Sequence, residues 1–99
     1  MPLVEQETAL LRRTFDISLM GVVHTVRAGA RAFTTRPPLA SPSTGSRGKI
    51  IIISSIMGNQ PLSDNAAAYS SCKAAVTHLG RCVAAELCNA RINVNVVCP

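Results

Sequence analysis

The stretch Lys49-Ile50-Ile51-Ile52-Ile53-Ser54 holds four consecutive isoleucines between a lysine and a serine. Isoleucine is β-branched, which favours extended backbone. The run does not alternate between apolar and polar residues, and this lack of alternation is typical of strands that are buried on both faces in parallel sheets. The stretch therefore predicts a β-strand over residues 49–54, buried on both of its faces.

The residues after this strand predict a helix and then a second strand. Ser63, Asp64 or Asn65 is a candidate N-cap for a helix from about Ala66 to Asn89, and Ile92–Val97 reads as the second strand. The apolar stripe of the helix consists of Val76, Leu79, Val83 and Leu87. A strand, a helix and a strand in this order form a βαβ unit, whose strands are parallel and whose crossover is right-handed.

A longer helix is predicted ahead of the first strand, from about Glu7 to Thr34. Its apolar residues recur every three or four positions, as one face of a helix requires: Leu11, Phe15, Leu19, Val22, Val26, Ala30 and Phe33. Gly21 interrupts this helix and marks either a break or a close contact with another helix. Arg36-Pro37-Pro38 ends it, since the residue before a proline avoids the α region. Residues 36–48 are predicted to form a flexible loop.

The resulting order, α-β-α-β, is that of an α/β protein with a doubly wound, mostly parallel sheet. Two strands are too few for a finished domain of this class. The pattern therefore predicts that the 99 residues are a piece of a larger sheet.

The composition argues against several classes of function. The ten Lys and Arg residues, which exceed five Asp and Glu, are scattered and accompanied by only three aromatics, unlike a nucleic-acid-binding face. The four cysteines lack zinc-site spacing and read as reduced thiols. Neither His24 nor His78 has a partner at metal-ligand spacing. No run is long enough to cross a bilayer and no signal peptide is visible, so we expect a cytoplasmic protein without a membrane or metal partner.

The residues that carry chemistry are Ser55, Tyr69 and Lys73. Ligands of open α/β sheets bind beyond the carboxyl ends of the strands, and Ser55 follows the first strand while Tyr69 and Lys73 begin the next helix. Four positions apart, Tyr69 and Lys73 share one helical face. An adjacent ammonium favours the phenolate and so lowers the pKa of a tyrosine from about 10. A serine hydroxyl nearby can orient a carbonyl oxygen, so the three groups suit proton transfer to a carbonyl or an alcohol. On its own the pair is a weak signal, since a half-buried Tyr beside a solvated Lys is common.

Four stretches resemble motifs of the short-chain dehydrogenase/reductase family, in the family's order along the chain. Residues 15–22 look like its FDxNLxG helix, residues 49–58 like its strand ending in SSxxG, residues 68–75 like its YxxxK helix, and residues 91–99 like its VNxVxPG strand, which here stops at the Pro. The resemblance covers nearly the whole chain. It implies a partial Rossmann fold, with residues 1–99 as the catalytic portion of a single NAD(P)-binding domain, an internal or C-terminal-half piece of it.

The resemblance also implies roles for single residues. Tyr69 is expected to be the general acid/base, Lys73 to assist it and bind the nicotinamide ribose, and Ser55 to orient the substrate oxygen. Ser54 is expected to be structural, and Pro99 to begin the loop beside the nicotinamide. The expected cofactor is NAD or NADP, with NADP slightly preferred. The expected partners are a small carbonyl or alcohol substrate (a ketone, sugar or polyol) and, in the full-length form of the family, further copies of the same chain.

Three departures from the family pattern affect these expectations. The sequence contains no glycine-rich GxxxGxG turn and no NAG segment, which in the family hold the dinucleotide phosphates and adenosine. Ser18 stands where the family has the Asn of FDxNLxG, which in the family helps to form a proton relay with the Lys, so we expect that relay to be weakened here. Ser55 and Tyr69 lie fourteen positions apart, one more than is usual.

Two alternatives to an enzyme stay open at this point. The chain can be a non-catalytic protein whose long helices, matching residues 10–34 and 66–89, associate with a related subunit. It can also be a truncated product without a function. An upstream sequence that ends in a GxxxGxG turn would favour the enzyme.

Overall fold

The computed structural model describes residues 2–35, 45–61 and 66–99. Within these ranges, three α-helices are present, α1 (Thr8–Phe15), α2 (Gly21–Thr34) and α3 (Ala67–Leu87), and two strands, β1 (Gly48–Ile53) and β2 (Ile92–Val97). A π-helical turn, Asp16–Met20, joins α1 to α2, and short 3-10 turns occupy Leu3–Glu5, Ile56–Gly58 and Cys88–Ala90. The predicted α-β-α-β order is confirmed.

The two strands pair in parallel, with Gly48 opposite Ile92 and Ile53 opposite Val97. This confirms the βαβ unit, because parallel neighbours require a crossover and α3 provides it. The second strand has the predicted bounds. The first strand begins and ends one residue earlier than predicted, so Ser54 lies just beyond its carboxyl end.

The core lies between the sheet and the helices on one of its faces. Val26 of α2, Ile52 of β1 and Val76 of α3 are its buried centre. The partly buried side chains around them are Leu19, Val22, Ile50, Val83, Val94 and Val96. Even-numbered strand residues therefore point toward the helices, as the twofold alternation along a strand requires.

The prediction that β1 is buried on both faces is wrong. Ile51 and Ile53 are 65% and 55% exposed, and Val97 beside them on β2 is 45% exposed. These odd-numbered residues lie on the face opposite the helices, and no helix or strand among residues 2–35, 45–61 and 66–99 covers it. A run of apolar residues suits a strand that is buried on both faces, but the burial of each face depends on the elements that pack against it.

The first predicted helix is not interrupted at Gly21. The irregularity is the π-helical turn just before it, and the backbone at Gly21 is helical, with φ −57° and ψ −43°. A Cβ added at Gly21 would meet only the Asp16 carbonyl oxygen, at 3.7 Å, so no close helix contact requires the glycine. Both interpretations of Gly21 are therefore wrong.

The ends of α3 and of the predicted loop also differ from their predicted bounds by one or two residues. The helix ends at Leu87 and continues as the 3-10 turn, followed by Arg91 in the left-handed region at φ 61°. The candidate N-caps Ser63, Asp64 and Asn65 lie outside the described residues. Of the loop predicted over residues 36–48, residues 36–44 lie outside the described residues as well. The loop ends one residue earlier than predicted, because Gly48 already belongs to β1. Just before the strand, the Arg47 amide donates a hydrogen bond to the Arg91 carbonyl at 2.9 Å.

Gly80 sets how closely α3 approaches the sheet. A Cβ at this position would overlap with Cγ2 of Val96 on β2, whereas a Cβ at Gly29 of α2 would meet nothing within 4 Å. The two glycines are thus a matched pair of helical sites. The space for a Cβ is taken by another side chain at Gly80 and is empty at Gly29.

We expect Gly80→Ala to lower the free energy of unfolding by about 1–3 kcal/mol, because the methyl group overpacks the helix–sheet contact. Gly29→Ala should instead raise it by about 0.5–1 kcal/mol, since alanine favours a helix and the space is open. Urea denaturation of the two variants and the wild type measures both effects. Equal effects of the two substitutions would contradict the packing described for α3.

Candidate active site

The candidate site lies at the carboxyl edge of the sheet, where both strands end. The Ser54 amide donates to the Val97 carbonyl at 2.7 Å, and the Ile56 amide donates to the Pro99 carbonyl at 3.0 Å. These bonds hold the segment after β1 beside the segment after β2. Ser55 and Pro99, predicted as site residues from separate parts of the sequence, are thereby brought together.

Tyr69 and Lys73 occupy the first turns of α3, beside this edge. The Lys73 Nζ lies 5.7 Å from the centre of the Tyr69 ring, within the range of a cation–π contact. The same Nζ donates to the Ile53 carbonyl, the last of β1, at 3.3 Å. Tyr69 is 40% exposed, so part of this residue is accessible to a ligand. The predicted sharing of one helical face is confirmed.

The Ser55 side chain begins the 3-10 turn that follows β1. Its Oγ accepts a hydrogen bond from the Met57 amide at 3.2 Å, which caps the turn. A hydroxyl has one proton and two acceptor positions. Accepting this bond therefore leaves the Ser55 proton available to donate to the oxygen of a bound molecule.

Gly58 allows the turn that carries Ser55 to lie directly against α3. A Cβ on Gly58 would be 2.7 Å from the Lys73 carbonyl carbon and 2.9 Å from the Ala74 nitrogen. Such distances are too short for a real Cβ, so only glycine permits this approach of two backbones. The SSxxG pattern thus has a physical reason in this chain: it brings the Ser55 turn to the helical turn of Lys73.

Behind the exposed residues lies a buried hydroxyl pair formed by Ser54 and Thr77. Both residues are 4% exposed, and their hydroxyl oxygens are 2.6 Å apart. Each hydroxyl also lies 2.9 Å from the Lys73 carbonyl oxygen. The structure agrees with the structural role expected for Ser54. Thr77 was not among the predicted site residues, because its partners Ser54 and Cys98 are distant in sequence and no local motif marks it.

Ser18 lies in the π-helical turn, which packs against α3. Among the described residues, no hydrogen bond joins Ser18 to Lys73. π-helical turns in α-helices are frequent at functional sites, and the expected weakening of a proton relay by Ser18 in place of the family's Asn stays a prediction.

Cys72 lies between the two site residues on α3 but points into the protein. It is fully buried, and its Sγ is 3.9 Å from the Thr14 carbonyl oxygen of α1. Burial raises the pKa of the Cys72 thiol, with an opposing effect from the Lys73 ammonium. A thiol of this kind is a packing group, and it anchors α3 against α1.

The described residues form neither a membrane-spanning helix nor a cluster of metal ligands. None of the helices there is both long and apolar enough to cross a membrane. Within the same ranges, no three residues among the His, Cys, Asp and Glu side chains lie together in a way that could hold a metal ion.

The geometry places a serine, a tyrosine and a lysine at the carboxyl edge of a parallel sheet, and the sequence matches one family model over almost its entire length. That model, described as short chain dehydrogenase, matches residues 2–99. The chain belongs to the short-chain dehydrogenase family.

Solved structures resemble this short-chain dehydrogenase in fold as well. A short-chain type dehydrogenase/reductase from Mycobacterium marinum is 29% identical with a TM-score of 0.86, and the match covers 100% of this chain and 37% of that one. A 3-oxoacyl-[acyl-carrier protein] reductase with bound NAD from Brucella melitensis is 27% identical, with a TM-score of 0.84, over 100% of this chain and 34% of that one. An acetoin dehydrogenase from Salmonella typhimurium is 26% identical, with a TM-score of 0.83, over 99% and 37%. Among curated proteins, none matches at a significant level.

These comparisons confirm the family and the Rossmann-type α/β fold predicted from the sequence. The short-chain dehydrogenase chain described above spans little more than a third of the length of the solved structures that it resembles. The roles of its single residues stay predictions.

The two adjacent serines are expected to respond differently to substitution. Ser54→Ala removes a buried hydroxyl with two close partners and should lower the free energy of unfolding by about 1–3 kcal/mol. Ser55→Ala removes only the cap of a short turn at the edge of the site and should cost about 0.5 kcal/mol or less. Urea denaturation of both variants measures the difference. A larger loss for Ser55→Ala than for Ser54→Ala would show that the two serines have been assigned the wrong way round.

Proposed function

We propose that this chain supplies the catalytic portion of an NAD(P)-dependent oxidoreductase that interconverts a carbonyl compound and an alcohol. The observation that carries the proposal is the Lys73 ammonium above the Tyr69 ring, at the sheet edge where Ser55 begins its turn. Family membership adds to it, since the solved structures named above are dehydrogenases or reductases.

Tyr69 is the proposed proton donor and acceptor. In the reductive direction the Tyr69 hydroxyl gives its proton to the carbonyl oxygen as that oxygen gains negative charge, and in the oxidative direction the phenolate takes the proton from the alcohol. The Lys73 ammonium stabilises the phenolate by its charge. Ser55 donates its free proton to the same substrate oxygen, which holds that oxygen next to the Tyr69 hydroxyl.

The residues present fit the nicotinamide end of a dinucleotide. When bound, the cofactor supplies or accepts the hydride at the carbon that bears the reacting oxygen. Lys73 has three donor hydrogens, of which the bond to the Ile53 carbonyl uses one, so others remain for ribose hydroxyls. Pro99, whose carbonyl accepts a hydrogen bond from the Ile56 amide, lies at the same edge of the sheet. The sequence holds no GxxxGxG turn for the phosphates, so this chain's contribution is to the nicotinamide and its ribose.

The substrate class is a small ketone, sugar or polyol, and the names of the acetoin dehydrogenase and the 3-oxoacyl reductase are consistent with it. NAD or NADP is the proposed cofactor. The slight preference for NADP, the cytoplasmic location and a homo-oligomer in the full-length form stay predictions. The alternative of a non-catalytic associating chain is less well supported, because the chain retains Ser55, Tyr69 and Lys73 at one sheet edge.

The proposal is tested by titrating the purified chain with NADH and NADPH while following nicotinamide fluorescence. We expect saturable binding with a Kd of about 1 mM, weak because only the nicotinamide end is held. Lys73→Ala should abolish it, because the ammonium is the ribose ligand. Tyr69→Phe should keep binding but lose any turnover with a ketone.

Ser71→Ala is the matched control, since Ser71 is an exposed residue of α3 between the two site residues. It should bind the cofactor as the wild type does. No saturable binding at several times this concentration, or equal binding by Lys73→Ala, would contradict the proposal.

A further inference from the structure

Thr77 is the point at which α3 contacts the ends of both strands. Its Oγ1 lies 2.6 Å from the Oγ of Ser54, the residue after β1, and 3.9 Å from the Sγ of Cys98, the residue after β2. The same oxygen donates to the Lys73 carbonyl, one turn earlier in α3, at 2.9 Å. One buried hydroxyl group thus has neighbours on three separate segments of the chain.

The hydroxyl protons in this cluster are fewer than the short contacts. Ser54 and Thr77 have one hydroxyl proton each, while three oxygen–oxygen contacts of 2.6–2.9 Å join them to each other and to the Lys73 carbonyl. Each proton can serve only one of these contacts at a time. The two hydroxyls therefore have to be oriented together, which ties the position of Ser54 to that of Thr77.

A threonine that only bonded its own helix would have no further consequence, since such bonds four residues back are common. Here the partners of Thr77 at the two strand ends are each followed directly by a residue of the site. Ser54 is followed by Ser55, Cys98 is followed by Pro99, and the Lys73 carbonyl belongs to the residue whose ammonium lies above the Tyr69 ring.

We infer that Thr77 is a positioning residue, which holds Ser55 and Pro99 in place relative to Tyr69 and Lys73. This role rests on the proposed function and deepens it, because it names a buried group that sets the geometry of that site. Thr77 itself is only 4% exposed, so its role is indirect. It acts through Ser54, Cys98 and the backbone of Lys73.

The test compares Thr77→Val, which keeps the shape and removes the hydroxyl, with Thr77→Ser, which keeps the hydroxyl. Tyr69 is the only tyrosine of the chain, so its ring signals in NMR spectra need no separation from other tyrosines. The spectra are recorded at neutral pH without cofactor. Val83→Ala, which weakens the core elsewhere on α3, is the control for a loss of stability alone.

We expect Thr77→Val to shift the Tyr69 ring signals and the amide signals of Ser55 and Met57, none of which is directly bonded to Thr77. Thr77→Ser should restore the wild-type positions, and Val83→Ala should leave them unchanged. Shifts confined to Ser54, Lys73 and Cys98 in Thr77→Val would overturn the inference, and so would equal shifts in Val83→Ala.

Cofactor titration then separates this inference from the proposed function. If the cofactor binds to the wild type, Thr77→Val should raise its Kd about tenfold, in line with the loss of one buried hydrogen bond. If it does not bind, the proposed function fails, while the NMR comparison still decides the role of Thr77. Should Thr77→Val not fold, Ser54→Ala removes the other hydroxyl of the pair and is expected to move the same Tyr69 and Met57 signals. Unchanged signals in that variant would overturn the inference.

Discussion

The hydrogen bond from the Ser54 hydroxyl to the Lys73 carbonyl is the contact on which the site depends. It joins the end of a strand to the backbone of a helix in the buried interior, where an unpaired carbonyl or hydroxyl is costly. Because Lys73 also donates to the Ile53 carbonyl through its side chain, two successive residues of the β1 end hold this lysine at both its backbone and its tip. The Tyr69 ring is then placed by the helix itself, one turn earlier.

Small residues let the elements come close enough for this contact to form. Gly80 brings α3 against Val96, and Gly58 brings the turn that follows Ser55 against the Lys73 backbone. Within residues 2–35, 45–61 and 66–99, helices cover only one face of the sheet, and Ile51 and Ile53 are exposed on the other. An apolar face of this kind is typically covered by other elements in open α/β sheets, and the solved relatives are nearly three times as long as this chain.

The sequence predicted most of the fold, and the parts that it did not predict have identifiable causes. Four isoleucines and a helical stripe are local patterns, so the elements and their parallel order could be read directly. The exposure of Ile51 could not be predicted, since it depends on which other elements pack against the strand. The π-helical turn at Asp16–Met20 escaped detection because one wider turn hardly alters the periodicity of an apolar stripe. Ser55, Tyr69 and Lys73 were found through their motifs, whereas Thr77 was missed because its importance comes from Ser54 and Cys98, which are distant in sequence.

The most direct test of the proposed site is whether the Ser55 turn lies against the helix that carries Tyr69 and Lys73. In a nuclear Overhauser spectrum of the whole chain, we predict a strong cross-peak between the Gly58 α-protons and the Ala74 amide proton, because the Ala74 nitrogen lies 2.9 Å from the position that a Cβ on Gly58 would take. Its presence would confirm that the strand end and the helix form one site. Its absence in a folded chain would show that Ser55 and Tyr69 are held apart, and would contradict the proposed active site.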